Sequence, residues 1–111
     1  MQARIFSIDK KSYEILPSND DPLTTLEDLN DDLPEHAPRF VLLSYPVTLN
    51  SGRKANPYVM LNYMPATVAA ELRMLYAGAK ELMRNTAAVG KVIDVADEDA
   101  ILEIDAMLRE G

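Results

Sequence analysis

The longest periodic pattern of the chain lies between Ala66 and Ala87 and predicts an amphipathic helix. The predicted buried stripe consists of Val68, Leu72, Leu75, Tyr76, Ala79, Leu82, Met83 and Thr86. Met74 falls on the opposite side of this helix, among small and charged residues. A flexible apolar side chain there is suited to a groove on another protein, whereas isolated exposed methionines are also common. Periodicity alone leaves both interpretations open.

Other apolar runs predict strands and shorter helices around this segment. The predicted strands are 3–8, 13–16, 40–45 (continued by alternation through Val47 and Leu49), 58–63 and 91–95. Asp9 to Lys11 forms the first turn, shorter helices cover 23–32 and 101–108, and Thr67 or Ala66 caps the long helix. The order β-β-α-β-β-α-β-α predicts one α+β domain over residues 1–111. A mixed central sheet of about five strands should have helices packed on both faces.

Charge divides the chain into three parts. Residues 39–91 carry seven basic side chains against two acidic ones, although the net charge of the whole chain is −7. Residues 1–38 carry three basic against nine acidic side chains, and residues 92–111 carry one against seven. If the middle part forms one surface, that surface is basic and would steer the protein onto an acidic partner. The acidic flanks argue against nucleic acid as that partner.

The residues that carry catalysis or bind metals are scarce. The chain has no cysteine, and its one histidine, His36, lies in a predicted loop, so a zinc site is not expected. Its glycines are isolated, which argues against a phosphate-binding loop. We therefore expect no catalytic site, no metal and no cofactor. The absence of a long apolar run or a signal pattern predicts a cytoplasmic protein without membrane insertion.

Several short motifs together resemble one family. Pro38-Arg39-Phe40 leads a predicted strand, Ser44-Tyr45 lies within it, and Gly52-Arg53 forms the next turn. Pro57 starts the return strand, Pro65 precedes the helix, and the segment from Met74 to Lys80 fills the middle of that helix. From about Ala3 to its end, the chain resembles the actin-depolymerising-factor homology fold of the cofilin family. Within that family it is similar to the glia maturation factor branch.

This resemblance implies a non-enzymatic regulator of branched actin networks. Such a protein binds the actin-related protein complex that nucleates branches, entering the barbed-end groove of an actin-related subunit and meeting actin at the branch junction. It promotes debranching, inhibits new nucleation, and belongs to the cytoskeleton, in the actin cortex or patches. The implied contacts on the helix are Glu71, Arg73, Met74, Ala77, Gly78 and Lys80. A second implied surface includes the hairpin turn Ser51, Gly52, Arg53 and Lys54, together with the carboxyl-terminal region.

Two alternatives and one departure accompany the resemblance. A cofilin-like protein would bind and sever actin filaments directly, but cofilin-like members have a lysine at the position of Glu71. A scaffold whose basic face meets acidic lipids is the alternative from another class. Family members begin with a helix before the first strand, and this sequence begins in the strand, so the first family helix is absent from it. We expect the sheet face under that helix to be covered by a neighbour or by residues outside this sequence.

Overall fold

The computed structural model describes residues 1–110 and contains two sheets and four helices within them. The strands are β1 (Gln2–Ile8), β2 (Ile15–Pro17), β3 (Arg39–Ser44), β4 (Val47–Thr48), β5 (Lys54–Ala55), β6 (Tyr58–Tyr63) and β7 (Lys91–Val95). The helices are α1 (Leu26–Asp32), α2 (Ala70–Ala87), α3 (Glu98–Leu102) and α4 (Ile104–Glu110). The main sheet has the order β2-β1-β3-β6-β7, antiparallel except for the parallel pair β6 and β7. Strands β4 and β5 pair separately as a small hairpin.

Helices cover both faces of the main sheet. One core lies between the sheet and helices α1, α3 and α4; its helical side chains include Leu26, Leu29, Ile101, Ile104 and Leu108. The other core lies under α2 and contains Phe40, Met60, Tyr76 and Met83. Strands β3 and β6 lie inside the sheet and bury side chains on both faces, as their continuous apolar sequences predict. The predicted five-stranded α+β architecture is confirmed.

Tyr76 is the main anchor of α2 on the sheet. Its ring packs against Phe40 with 5.2 Å between ring centroids. Its hydroxyl oxygen accepts a hydrogen bond from the backbone amide of Ile8 at 2.9 Å. The buried hydroxyl thus has the partner that its predicted position requires. These contacts set which side of α2 faces outward.

Part of the predicted buried stripe of α2 is exposed. Leu82 is 63% exposed, and Thr86 is exposed as well, so their assignment to the stripe is wrong. Leu82 lines an open groove with Phe6, Ile15 and Leu42, between α2 and strands β1, β2 and β3. Within residues 1–110, α2 is the helix that packs on this face of the sheet. No neighbouring helix in this range therefore covers Leu82 and Thr86.

Several predicted boundaries also differ from the structure. Strand β3 ends at Ser44, so Val47 belongs to the separate hairpin and does not continue that strand, and α1 begins at Leu26 instead of residue 23. Helix α2 begins at Ala70 after the cap residue Ala69, and the hydroxyl of Thr67 lies 2.7 Å from Nδ1 of His36 instead of capping the helix. Tyr13 belongs to the first turn, where its φ is 60° and its amide donates to the carbonyl of Asp9. The last helix is divided at Glu103 into α3 and α4.

Candidate partner-binding surfaces

The outer side of α2 carries a narrow exposed surface, here called the outer strip, formed by Glu71, Met74, Ala77 and Gly78. All four residues are exposed, and Met74 is 76% exposed. Their spacing places them on one side of the helix, opposite the buried Tyr76 and Met83. Small residues beside one long apolar side chain allow close approach to a partner, and Glu71 adds a negative charge near the start of the helix.

Arg73 and Lys80 flank the outer strip, and each has a partner within the chain. Arg73 donates from Nη2 to the backbone carbonyls of Pro65 and Ala66, at 3.2 and 3.4 Å. It therefore helps to hold the segment that leads into α2. Lys80 lies 3.4 Å from the carboxylate of Asp94 on β7 and is only about one-third exposed. For both residues, a substitution would alter intrachain contacts as well as any contact with a partner.

The start of α2 is also joined to the link before β3. The hydroxyl of Thr67 donates to the carbonyl of Glu35 at 3.4 Å, in addition to its contact with His36. Next to it, the hydroxyl of Tyr63 donates to the carbonyl of Pro34 at 2.8 Å. Burial raises the pKa of Tyr63, and nearby carboxylates, Glu35 first, reinforce this effect, so its hydroxyl remains a donor at neutral pH. These bonds fix the helix entry without using residues of the outer strip.

The second predicted surface is the turn between β4 and β5, here called the basic turn, formed by Ser51, Gly52, Arg53 and Lys54. All four residues are exposed. Gly52 has a φ of +90°, which favours glycine over other residues at this position. The turn closes with a bond from the amide of Leu49 to the carbonyl of Arg53 at 2.7 Å. Its two cationic side chains extend from a backbone with a defined conformation.

A cluster that sequence analysis missed joins this hairpin to α4. The hydroxyl of Tyr45 donates to Oδ1 of Asp105 at 2.6 Å, and Nε of Arg109 donates to Oδ2 at 2.6 Å. The spacing of Asp105 and Arg109 on one helix could have suggested their ion pair. Nothing local in the sequence indicates that Tyr45 joins them.

The outer strip and the basic turn are separate surfaces. The strip belongs to α2, on the sheet face that contains Phe40. The hairpin contributes Val47 to the other core, where it packs with α4. The cationic residues of the middle of the chain are therefore divided between two sides, and some of them are paired with acids, as Lys80 is with Asp94. Among residues 1–110, no group of three or more histidine or acidic side chains could hold a metal ion, and no helix could span a membrane.

Comparisons with known proteins give a consistent result. The family described as "Cofilin/tropomyosin-type actin-binding protein" matches residues 1–108. Protein AIM7 of Saccharomyces cerevisiae is 41% identical over 97 residues, covering 78% of this chain and 62% of the yeast protein. Human glia maturation factor beta is 30% identical over 101 residues, covering 91% of this chain and 71% of that protein.

A solved structure adds the fold to this comparison. The solution structure of glia maturation factor from Caenorhabditis elegans matches with a TM-score of 0.72 at 32% identity. The match covers 88% of this chain and 71% of the nematode chain. The chain therefore spans somewhat less than two thirds of the yeast relative's length and about seven tenths of the glia maturation factors compared with it.

Proposed function

Because the chain belongs to the cofilin/tropomyosin-type actin-binding protein family, and to its glia maturation factor branch, we propose that it removes branches from actin networks. The family consists of actin-binding regulators that are not enzymes. The chain would bind the actin-related protein complex at a branch junction, promote debranching and inhibit new nucleation. The helix would supply the first contact and the basic turn the second.

The exposure of Met74 is the observation that supports this proposal most directly. It is the most exposed of the large apolar side chains in residues 1–110, at 76%, and lies in the middle of the outer strip. A helix that enters a groove uses such a residue as its anchor, with small neighbours that let the partner approach. Ala77 and Gly78 are those neighbours.

The charge at Glu71 favours an actin-related subunit over conventional actin as the partner. Glu71 is exposed in the first turn of α2, where its charge is compatible with the helix dipole. Cofilin-like relatives place an actin-contacting lysine at this position. A carboxylate there would repel the surface that accepts the lysine, so direct binding to actin filaments should be weak.

The test is a branch-dissociation assay on networks grown with the purified actin-related protein complex. Wild-type chain should shorten branch lifetime, and Met74→Ala should require about tenfold more protein, as expected when an interface anchor is truncated. Leu16→Ala is the control, because Leu16 is an exposed apolar residue, at 40%, on strand β2 and outside both candidate surfaces. The control should behave as the wild type does.

Two outcomes would contradict the proposal. If Met74→Ala debranches as well as Leu16→Ala and the wild type, the outer strip is not the binding element. If wild-type chain leaves branch lifetime unchanged but sediments with pure, unbranched actin filaments, the cofilin-like alternative is correct. Met74 is preferred to Arg73 for this test because its side chain is largely free of intrachain packing.

Gly78→Ala provides a second test that separates binding from stability. Glycine inside a helix costs about 1 kcal/mol relative to alanine, and a Cβ atom at Gly78 would meet nothing within 4 Å. The substitution should therefore stabilise the free chain. If a partner approaches the helix backbone at this position, the added methyl group should weaken debranching. A variant that is more stable and equally active would show that the partner does not approach Gly78 closely.

A further inference from the structure

The carboxylate of Asp105 accepts hydrogen bonds from two side chains on different elements. Tyr45 donates to Oδ1 at 2.6 Å, from the segment between β3 and β4. Arg109 donates from Nε to Oδ2 at 2.6 Å and from Nη2 to Oδ1 at 3.2 Å. The guanidinium is thus oriented by a two-point contact, which fixes the direction of its remaining nitrogen.

That remaining nitrogen of Arg109 reaches the hairpin. Nη1 donates to the backbone carbonyl of Thr48 at 3.2 Å. The backbone carbonyl of Arg109 also accepts a bond from the amide of Asn50 at 2.9 Å. One residue of α4 therefore holds the hairpin at two backbone positions, on the strand and at the start of the turn.

The hairpin has few other bonds that could fix its direction. Its ladder consists of two residue pairs, Val47 with Ala55 and Thr48 with Lys54. It forms a sheet of its own, separate from the five-stranded sheet. A two-stranded ribbon of this length is marginally stable alone, so contacts with the rest of the domain determine where its turn points. Val47, Leu49 and Ala55 supply apolar contacts with the core, whereas Arg109 supplies the polar contacts, to Thr48 and Asn50.

The ionisation states of the cluster keep these bonds in place at neutral pH. The hydrogen bonds from Arg109 and then from Tyr45 lower the pKa of the Asp105 carboxyl group. Burial, followed by the bond to Asp105, raises the pKa of Tyr45 to about 12. Asp105 is therefore an acceptor, and Tyr45 a donor, throughout the physiological range.

We infer that Tyr45, Asp105 and Arg109 position the basic turn, so that Arg53 and Lys54 meet a branch-junction partner in one orientation. This inference rests on the proposed function, because it assigns the cluster a role in binding through the second surface. Tyr45 and Asp105 are positioning residues, since they act through Arg109. Without them, the turn would sample several orientations, and its ordering would have to occur on binding.

A double-mutant cycle in the branch-dissociation assay tests this inference. The variants are Asp105→Ala, Arg53→Ala and their combination, in the full chain. Asp105→Ala gains helix propensity, which opposes the loss of the ion pair with Arg109, so we expect little net change in the stability of α4 itself. Each single change should raise the protein concentration needed for debranching about three- to tenfold. The double variant should raise this concentration by less than the product of the two single factors, because a turn in the wrong orientation already makes less use of Arg53.

The matched cycle combines Asp105→Ala with Met74→Ala, on the separate outer strip. The factors by which these two changes raise the required concentration should multiply, because the two sites lie on opposite sides of the sheet and share no contact. If Asp105 contributed only to global stability, the single-variant factors would multiply in both cycles. That result, or full activity of Asp105→Ala, would overturn the inference. If Asp105→Ala does not fold, Tyr45→Phe, which leaves the pair of Asp105 and Arg109 intact, replaces it in both cycles.

Amide hydrogen exchange of the free chain separates failure of the inference from failure of the proposed function. Asp105→Ala should speed exchange at Asn50 about tenfold, and leave the amide of Ile8 under α2 unchanged. Unchanged exchange at Asn50 in an active protein would overturn the inference and leave the proposed function standing. If wild-type chain does not debranch, the proposed function and the binding role fall together, whereas faster exchange would still establish that the cluster holds the hairpin.

Discussion

The two candidate surfaces are held in place by different means. The outer strip is part of an 18-residue helix whose opposite side is anchored in a core through Tyr76 and Met83. The basic turn closes a hairpin of two-residue strands and is held by the polar contacts of Arg109. The positions of helical residues are fixed by many backbone hydrogen bonds and by apolar packing. The turn has a much shorter ladder and only three apolar side chains packed at its base, so the hydrogen bonds from Arg109 make up a larger share of what holds it.

This difference bears on how each surface would meet a partner. A strip on a packed helix is preorganised, so binding there pays little ordering cost. A turn held by a small polar cluster can be released by a single substitution or by a change in protonation. We therefore expect α2 to respond to changes in packing, and the hairpin to changes in hydrogen bonding and charge.

Removing the anchor of α2 should have the largest effect on stability. Tyr76→Ala deletes the ring packed on Phe40 and leaves the buried amide of Ile8 without its acceptor. We expect a loss of about 3–5 kcal/mol in the free energy of unfolding, measured by denaturant titration. Tyr76→Phe keeps the ring and should lose about 1–3 kcal/mol. If Tyr76→Ala cost no more than Tyr76→Phe, ring packing would not be what anchors the helix.

Neighbouring residues of α2 offer a matched pair with a smaller expected effect. Met83 is 6% exposed and belongs to the core, whereas Leu82 is 63% exposed beside the open groove. Met83→Ala should lower the free energy of unfolding by about 2–4 kcal/mol, and Leu82→Ala should change it by about 0.5 kcal/mol or less. Thermal and denaturant unfolding of both variants would check this. Similar losses would indicate that the flank carrying Leu82 is buried in solution.

The sequence predicts α2 and the outer strip well because both depend on local spacing. The periodicity that buries Tyr76 and Met83 also determines that Met74 lies outside. The strands follow for the same reason, since alternation and continuous apolar runs are local signals. The spacing of Leu82 fits the buried stripe, but its burial depends on what covers that side of the helix, and the structure leaves it exposed.

The features that the sequence could not predict rest on contacts between distant residues. Tyr45 and Asp105 are 60 positions apart, and only the fold brings the hydroxyl to the carboxylate. Helix α2 begins later than predicted, and the hydroxyl of Thr67 contacts His36, 31 residues earlier in the chain, instead of capping the helix. A polar side chain near a helix start is a cap only if no tertiary partner competes for it.

Tyr45→Phe tests the cluster that holds the hairpin, and it should lower the stability of the chain modestly. It removes one hydrogen bond to a partly exposed carboxylate and leaves the ring in place. We expect a loss of about 1 kcal/mol in the free energy of unfolding. The control is Tyr58→Phe, at a tyrosine that is 45% exposed on β6, which should change stability by about 0.5 kcal/mol or less. A loss from Tyr45→Phe as large as that from Tyr76→Ala would mean that the hairpin is anchored as firmly as the helix.

The smallest expected effect is a change with pH in the free energy of unfolding that Tyr45→Phe costs. The hydrogen bond from Arg109, and then that from Tyr45, lower the pKa of Asp105 in the folded chain. Stability from this carboxylate is therefore present above its ordinary pKa of about 4 and is lost as the pH falls through the lower folded value. The pKa of Tyr45 is raised to about 12 by burial and by Asp105. Its contribution is present below the ordinary pKa of about 10 and is lost as the pH rises towards the folded value.

The measurement is the difference in free energy of unfolding between wild type and Tyr45→Phe across pH. We expect this difference to stay constant between about pH 5 and 9 and to shrink below about pH 4, where protonated Asp105 is a weaker acceptor. The corresponding difference for Tyr76→Phe should stay constant in acid, because the bond between Tyr76 and the backbone amide of Ile8 contains no charged group. If both differences shrank together, acid would be loosening the whole domain. The hairpin would then have no separate electrostatic anchor, and the contrast between the two surfaces would disappear.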